Sequence, residues 1–98
     1  MVSEKKLQSY LMDRAKMHDI YCRKVMAVGR TGFPDLFLAK NGRVILIEVK
    51  SPTGRGRLSK KQIVEIERIQ NAGLKVFVVE KFSEVDKVFQ QIINASTD

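Results

Sequence analysis

"PDLFLAKNGRVILIEVK", residues 34–50, is the stretch whose reading decides the fold. Two apolar runs flank Asn41-Gly42, a dipeptide that tolerates positive φ at both central positions of a type I′ turn and so marks a two-residue β-hairpin. With that turn, Lys40 faces Arg43, Ala39 faces Val44, Leu38 faces Ile45, Phe37 faces Leu46, Leu36 faces Ile47 and Asp35 faces Glu48. Alternation along the strands gives one wholly apolar face of Leu36, Leu38, Ile45, Ile47 and Val49. On the other face Phe37, Ala39, Val44 and Leu46 lead up to Asp35, Glu48 and Lys50. A sheet covered on both sides follows, with its charges gathered at one end.

Carboxylates placed directly across a strand pair repel and destabilise it. A divalent cation between Asp35 and Glu48 would remove that repulsion, and hard oxygen donors suit Mg²⁺ or Mn²⁺. Beside such a cation, the Lys50 ammonium can hold a water for attack on a phosphate. The alternative is a salt-bridged triad in which Lys50 neutralises one acid and the other is solvated at the strand end. The surrounding charge favours metal chemistry. Lys and Arg number 18 against 11 Asp and Glu, a formal charge of +7, and the isoelectric point near 9.8 suits a polyanionic partner such as nucleic acid. From Lys50 to Lys61 there are five positive charges, Lys50, Arg55, Arg57, Lys60 and Lys61, and no acid. "SPTGRGR", residues 51–57, reads as a loop punctuated by Pro52, Gly54 and Gly56. Its arginines are either solvated or, beside a metal site, placed to contact phosphate.

The 98 residues make one domain, 1–98. Cys22 is single, so one chain can build neither a disulfide nor a cysteine metal site, which fits a reducing cytoplasm. No apolar run approaches the roughly 18 residues of a membrane span, and the charged N-terminus lacks a signal-peptide pattern.

Ser3 can cap a first helix running to about His18, with Leu7, Tyr10, Leu11 and Ala15 as its apolar stripe. Glu4 lies on that same side, either as a surface acid favoured by the helix dipole or as part of the site. Residues 23–28 predict a strand, and 29–32 a turn into the hairpin. Ser59-x-x-Gln62 is a capping box and Leu58 with Ile63 a hydrophobic staple, opening a helix with a buried stripe of Ile63, Ile66 and Ile69 that Gly73 ends. Residues 75–79 can pair in parallel with 44–50 through that crossover helix. A final helix follows Ser83, with Val85, Val88, Phe89, Ile92 and Ile93 at helical spacing; these pack either on the sheet or against a second copy. The order is αβββαβα. Gln62 has two readings, as the capping-box partner or as an amide presented with Lys60 and Lys61 to a phosphate at the helix start.

Pro34-Asp35, Glu48-Val49-Lys50 and the helix-led strand order resemble the PD-(D/E)XK nuclease superfamily. Within it, "GFPDLFLAKNGRVILIEVKSPTGRGRLSKKQ", residues 32–62, closely resembles the virus-type replication-repair nuclease domain, VRR-NUC. The likeness spans Glu4 to the strand at 75–79. It implies an α/β, restriction-endonuclease-like αβββαβ core with a mixed central sheet flanked by helices. It also implies Mg²⁺- or Mn²⁺-dependent phosphodiester hydrolysis, with Asp35, Glu48 and the Val49 carbonyl as metal ligands and Lys50 positioning the attacking water. Glu4 corresponds to the acid of the family's first helix and Gln62 to the glutamine of its second. Small members of this kind are expected to act as homodimers on branched DNA such as four-way junctions, and this chain has no room for the added DNA-binding domains of larger members. Arg55, Arg57, Lys60 and Lys61 are the expected DNA contacts. Two other readings stay open: a nuclease of the same fold acting on ends, single strands or nonspecific duplex, and a non-catalytic DNA-binding module.

Overall fold

The structure is a computed structural model that describes residues 3–26, 32–51 and 57–95. Asn41 and Gly42 adopt φ of 52° and 79°, as the type I′ turn requires. The hairpin of β2 (Leu36–Lys40) and β3 (Arg43–Val49) closes in the expected register, from Lys40 opposite Arg43 to Leu36 opposite Ile47. β1 (Tyr21–Lys24) adds antiparallel to β2, and β4 (Lys75–Val79) adds parallel to β3, giving a mixed four-stranded sheet in the order β1-β2-β3-β4. With α1 (Glu4–Met17), α2 (Lys60–Asn71) and α3 (Phe82–Ala95), the order is the expected αβββαβα.

The apolar hairpin face is sealed by α1 and α3. Leu36, Leu38, Ile45, Ile47 and Val49 join Leu7, Leu11, Ala15, Val79, Val85, Val88 and Phe89 in one core. Asp86 of α3 accepts hydrogen bonds from Tyr10 Oη at 2.7 Å and from the Arg14 guanidinium at 2.9 Å, tying α3 to α1. The α3 stripe is therefore occupied within its own chain, with Ile92 and Ile93 packed at the core margin. Among the described residues no helix is long and apolar enough to cross a membrane.

Three local expectations are corrected. The strand expected at 23–28 lies at Tyr21–Lys24, because α1 ends abruptly. Asp19, at φ 56°, closes a Schellman motif in which Ile20 N donates to Ala15 O at 2.7 Å, and the chain enters the sheet at once. At its far end β1 has one more bond, Val25 N to Asp35 O at 2.8 Å. Residues 27–31, the rest of that expected strand and most of its turn, lie outside the described residues. Ile63 does not join the buried stripe of α2: it is 44% exposed, whereas Ile66 and Ile69 are buried. At 100° per residue, three-residue steps drift by 60° each, which carries Ile63 120° away from Ile69. The last helix begins at Phe82 rather than after Ser83, with the Glu84 carboxylate reaching back to Glu80 N at 2.7 Å.

Two glycines separate conformational strain from steric strain. At Gly42, φ 79°, an added Cβ meets nothing within 4 Å, so Gly42→Ala should lose about 1 kcal/mol from the backbone preference alone. At Gly32, φ 92°, the same carbon would lie 2.8 Å from the Lys61 carbonyl oxygen, against the first turn of α2. Gly32→Ala should therefore lose roughly 2–4 kcal/mol in urea denaturation. Equal losses at the two positions would show that the loop at Gly32 yields freely.

Candidate active site

The sheet and helix ends bring the charged residues to one place. Asp35 stands at the entry to β2, one step beyond the Leu36–Ile47 pair, where the register sets it beside Glu48. Its Oδ2 accepts from Val49 N at 2.9 Å, so the main chain of β3 fixes the orientation of this carboxylate. Glu48 points into the half of the site covered by α2 and is only 2% exposed. Lys50 follows on the same side, its backbone N–H donating to Val79 O at 2.8 Å and its Nζ lying 3.5 Å from Glu48 Oε2.

Of the two expected roles of Gln62, the capping box is formed, and the other end of the amide contacts Glu48. Oε1 accepts from Ser59 N at 2.8 Å, while Ser59 Oγ accepts from Gln62 N at 3.1 Å, completing the capping box. Nε2 meanwhile donates to Glu48 Oε2 at 3.1 Å. The cap that starts α2 thus also ties the helix to the carboxylate. Glu4, the first residue of α1, accepts from Ser51 N at 3.3 Å. Its contact is with the main chain just after Lys50. Nothing local in the sequence pairs Glu4 with Ser51. Gly32 is a second contributor beyond the acid set, since its missing Cβ lets the loop before Pro34 lie against Lys61 O; the glycine preceding Pro34-Asp35 was its sequence signal. Arg57, Lys60 and Lys61 are exposed at the approach to α2, and Arg55 lies outside the described residues.

Burial first, and repulsion from Asp35 second, push the Glu48 carboxyl up to about 7; the Lys50 ammonium opposes both. Glu48 Oε1 is buried and has no hydrogen-bond partner. A facing carboxylate offers no donor unless one of the two acids carries a proton, which fits the raised value. The pair also has the donor chemistry for a hard cation. Among the described residues, no three His, Cys, Asp or Glu side chains form a ready-made cage. Mg²⁺-like ions are, however, commonly held by one or two carboxylates with waters and substrate phosphate completing the shell. Asp35 and Glu48, whose Oε1 is unpartnered, are the carboxylates such an ion would use.

Comparisons with known proteins place the fold in a family. The model of the VRR-NUC domain matches residues 3–81. A solved VRR_NUC domain is similar with a TM-score of 0.80 and 32% identity, over 89% of this chain and 94% of that one. A second structure, of a VRR_NUC domain protein, is similar in fold with a TM-score of 0.78 and 23% identity, over 95% of this chain and 89% of that one. No curated protein matches the chain.

The raised Glu48 value carries a stability sign. Between the unfolded value near 4.5 and the folded value of about 7, the folded chain holds the extra proton. The stabilisation is complete below the unfolded value and is lost as pH rises through the folded one. Glu48→Gln, denatured in EDTA, should therefore lose the fall in stability seen in the parent between about pH 4.5 and 8, and should exceed the parent at pH 8 by up to about 3 kcal/mol. Parallel pH profiles for the two proteins would contradict a carboxyl raised by burial.

Proposed function

The chain belongs to the VRR-NUC domain family, and on that footing we propose that it is a Mg²⁺- or Mn²⁺-dependent DNA endonuclease, selective for branched DNA such as four-way junctions and active as a homodimer. The observation that carries the reading is Glu48, buried beside Asp35 with Oε1 unpartnered and Oε2 shared between Gln62 and Lys50. A purely structural carboxylate would have both oxygens answered by donors.

In this reading Asp35, Glu48 and the Val49 carbonyl hold the cation. When bound, the cation neutralises charge on the scissile phosphate and acidifies the attacking water. The chain's own groups do the rest. Val49 N keeps Asp35 turned toward the site, and Gln62 Nε2 keeps Glu48 from swinging away. Lys50, anchored through its main chain to β4, directs its ammonium at the attacking water and balances the carboxylates. Attack forms a new phosphorus–oxygen bond as the opposite ester bond breaks, leaving one strand end with phosphate and the other with hydroxyl. Arg57, Lys60 and Lys61 border this site and give phosphates a cationic approach.

The test incubates labelled four-way junction, duplex and single strand with the protein and Mg²⁺ or Mn²⁺. The junction should be cut at the lowest protein concentration. Asp35→Asn should reduce cleavage to below about one hundredth of the parent, the scale on which one transition-state electrostatic contact is felt. Its metal-free stability should hold or rise as the repulsion is relieved. Preferential cutting of single strands or ends would replace branch selectivity with the simpler nuclease, and full activity of Asp35→Asn would remove Asp35 from the reaction.

Assembly is checked separately. One chain holds one such site, and paired incision of opposing strands needs two related by a two-fold axis. Light scattering at micromolar concentration should give twice the 11.2 kDa chain mass. A monomer both free and on junction DNA would leave one cut per encounter.

A further inference from the structure

The sheet face covered by α1 and α3 is not filled to its end. Beside the hairpin turn, where α3 runs out with Gln91 and Ile92, a half-open cavity of about 360 Å³ remains. Its floor is Ile20, Leu38, Ile45, Phe77 and Ile92, all within the core or packed against it. Lys40, on its border, lies about 17 Å of strand from Asp35, so the cavity is separate from the carboxylate site.

Three cations border the cavity, and the register explains their company. Lys40 is opposite Arg43 and Lys75 opposite Ile45, so alternation sets Lys40, Arg43 and Lys75 on the same face as Leu38, Ile45 and Phe77. The Lys40 ammonium donates to His18 O at 2.9 Å, which fixes its place while leaving it further N–H groups to give. Arg43 and Lys75 are exposed, and among the described residues no carboxylate pairs with either. Among those residues no acid lines the cavity, Asp19 beside Ile20 being exposed outside it.

An apolar floor under a cationic rim calls for a ligand with both characters. We propose that this cavity binds a small amphipathic anion, a carboxylate carried on an apolar body about the size of a phenyl ring with a short linker. The volume lies near the lower end of the roughly 300–1,000 Å³ of small-molecule sites. The body displaces water from Leu38, Ile45 and Phe77, and the carboxylate meets the cations of the rim. A nucleic-acid strand matches only the rim, because base edges laid on an aliphatic floor lose their hydrogen bonds. A second copy presenting the same end would set like charges against each other.

The test follows the backbone amide signals of the isotope-labelled protein by NMR, in EDTA, during titration with 3-phenylpropionate, 3-phenylpropanol or acetate. 3-Phenylpropionate should shift the amides of Ile45, Leu74, Phe77 and Ile92 saturably, with a Kd on the order of 1 mM, and leave those of Lys50 and Gln62 in place. Phenylpropanol, which keeps the ring, and acetate, which keeps the charge, should each bind at least about tenfold more weakly. Arg43→Gln combined with Lys75→Gln, at two exposed positions, should weaken phenylpropionate by about fivefold, the scale of two exposed charge contacts, and leave phenylpropanol unchanged. Acetate binding as well as phenylpropionate would reduce the site to surface charge, and phenylpropanol binding as well would reduce it to an apolar hollow; either overturns the proposal. Displacement of the probe by duplex DNA overturns it in favour of a nucleic-acid contact. A light-scattering mass that falls as the probe is added overturns it in favour of a second copy, and the absence of saturable shifts at these amides overturns it outright.

Discussion

A carboxylate with 2% of its surface exposed, set beside a second carboxylate, persists only where the surrounding chain answers its charge. Each element that reaches the site supplies part of that answer. β3 gives Val49 N to Asp35, α2 gives the Gln62 amide to Glu48, and β4 holds the main chain of Lys50 so that its ammonium stays near Glu48. α1 contributes through Glu4, which fastens the chain at Ser51 as it leaves β3. The answer is incomplete at one atom, Glu48 Oε1. The chain bears that residual mismatch as lost stability, and in the proposed nuclease a cation would remove it.

The sheet divides the labour between its faces. One face is closed by α1 and α3 into a single core, and the Arg14–Asp86–Tyr10 network keeps those helices in register. This rigid half sets the relative positions of the ends of β2 and β3, and with them the spacing of the two acids. The other face is covered unevenly. α2 lies over β4 and brings Gln62 and the exposed Lys60 and Lys61 to the carboxylates, while the β1 edge keeps Tyr21 and Arg23 at the surface. A substrate as bulky as a nucleic-acid strand needs an open approach, and the uneven cover provides it without opening the core.

Much of this was legible in the sequence because it rests on short-range rules. Asn41-Gly42 sets the hairpin register, and the register alone puts Asp35 beside Glu48. Ser59 and Gln62 start α2 through bonds three residues apart, and Gly73 ends it. The resemblance carried by Pro34-Asp35 and Glu48-Val49-Lys50 named the family that the comparisons then matched. What sequence reading placed wrongly depends on packing. β1 begins at Tyr21 because a Schellman turn at Asp19 ends α1 sharply, and an aspartate at positive φ is a weaker signal than glycine. Ile63 looked like core because three-residue spacing resembles a stripe, yet the drift of that spacing turns it to solvent.

Tertiary structure alone decided the rest. Gln62 keeps its capping bond and gains a contact with Glu48 that the sequence did not indicate, because the amide has two ends and the fold presents one to Ser59 and the other to Glu48. Glu4 meets Ser51 across 47 residues of sequence, a pairing that no local pattern encodes. The raised Glu48 value likewise comes from burial under α2 and beside Asp35, not from the residue itself. Turns, caps and strand alternation are written in neighbouring residues because their hydrogen bonds close over a few positions. Exposure, desolvation and the partners of a charge belong to the assembled sheet and helices, and only their packing could settle them.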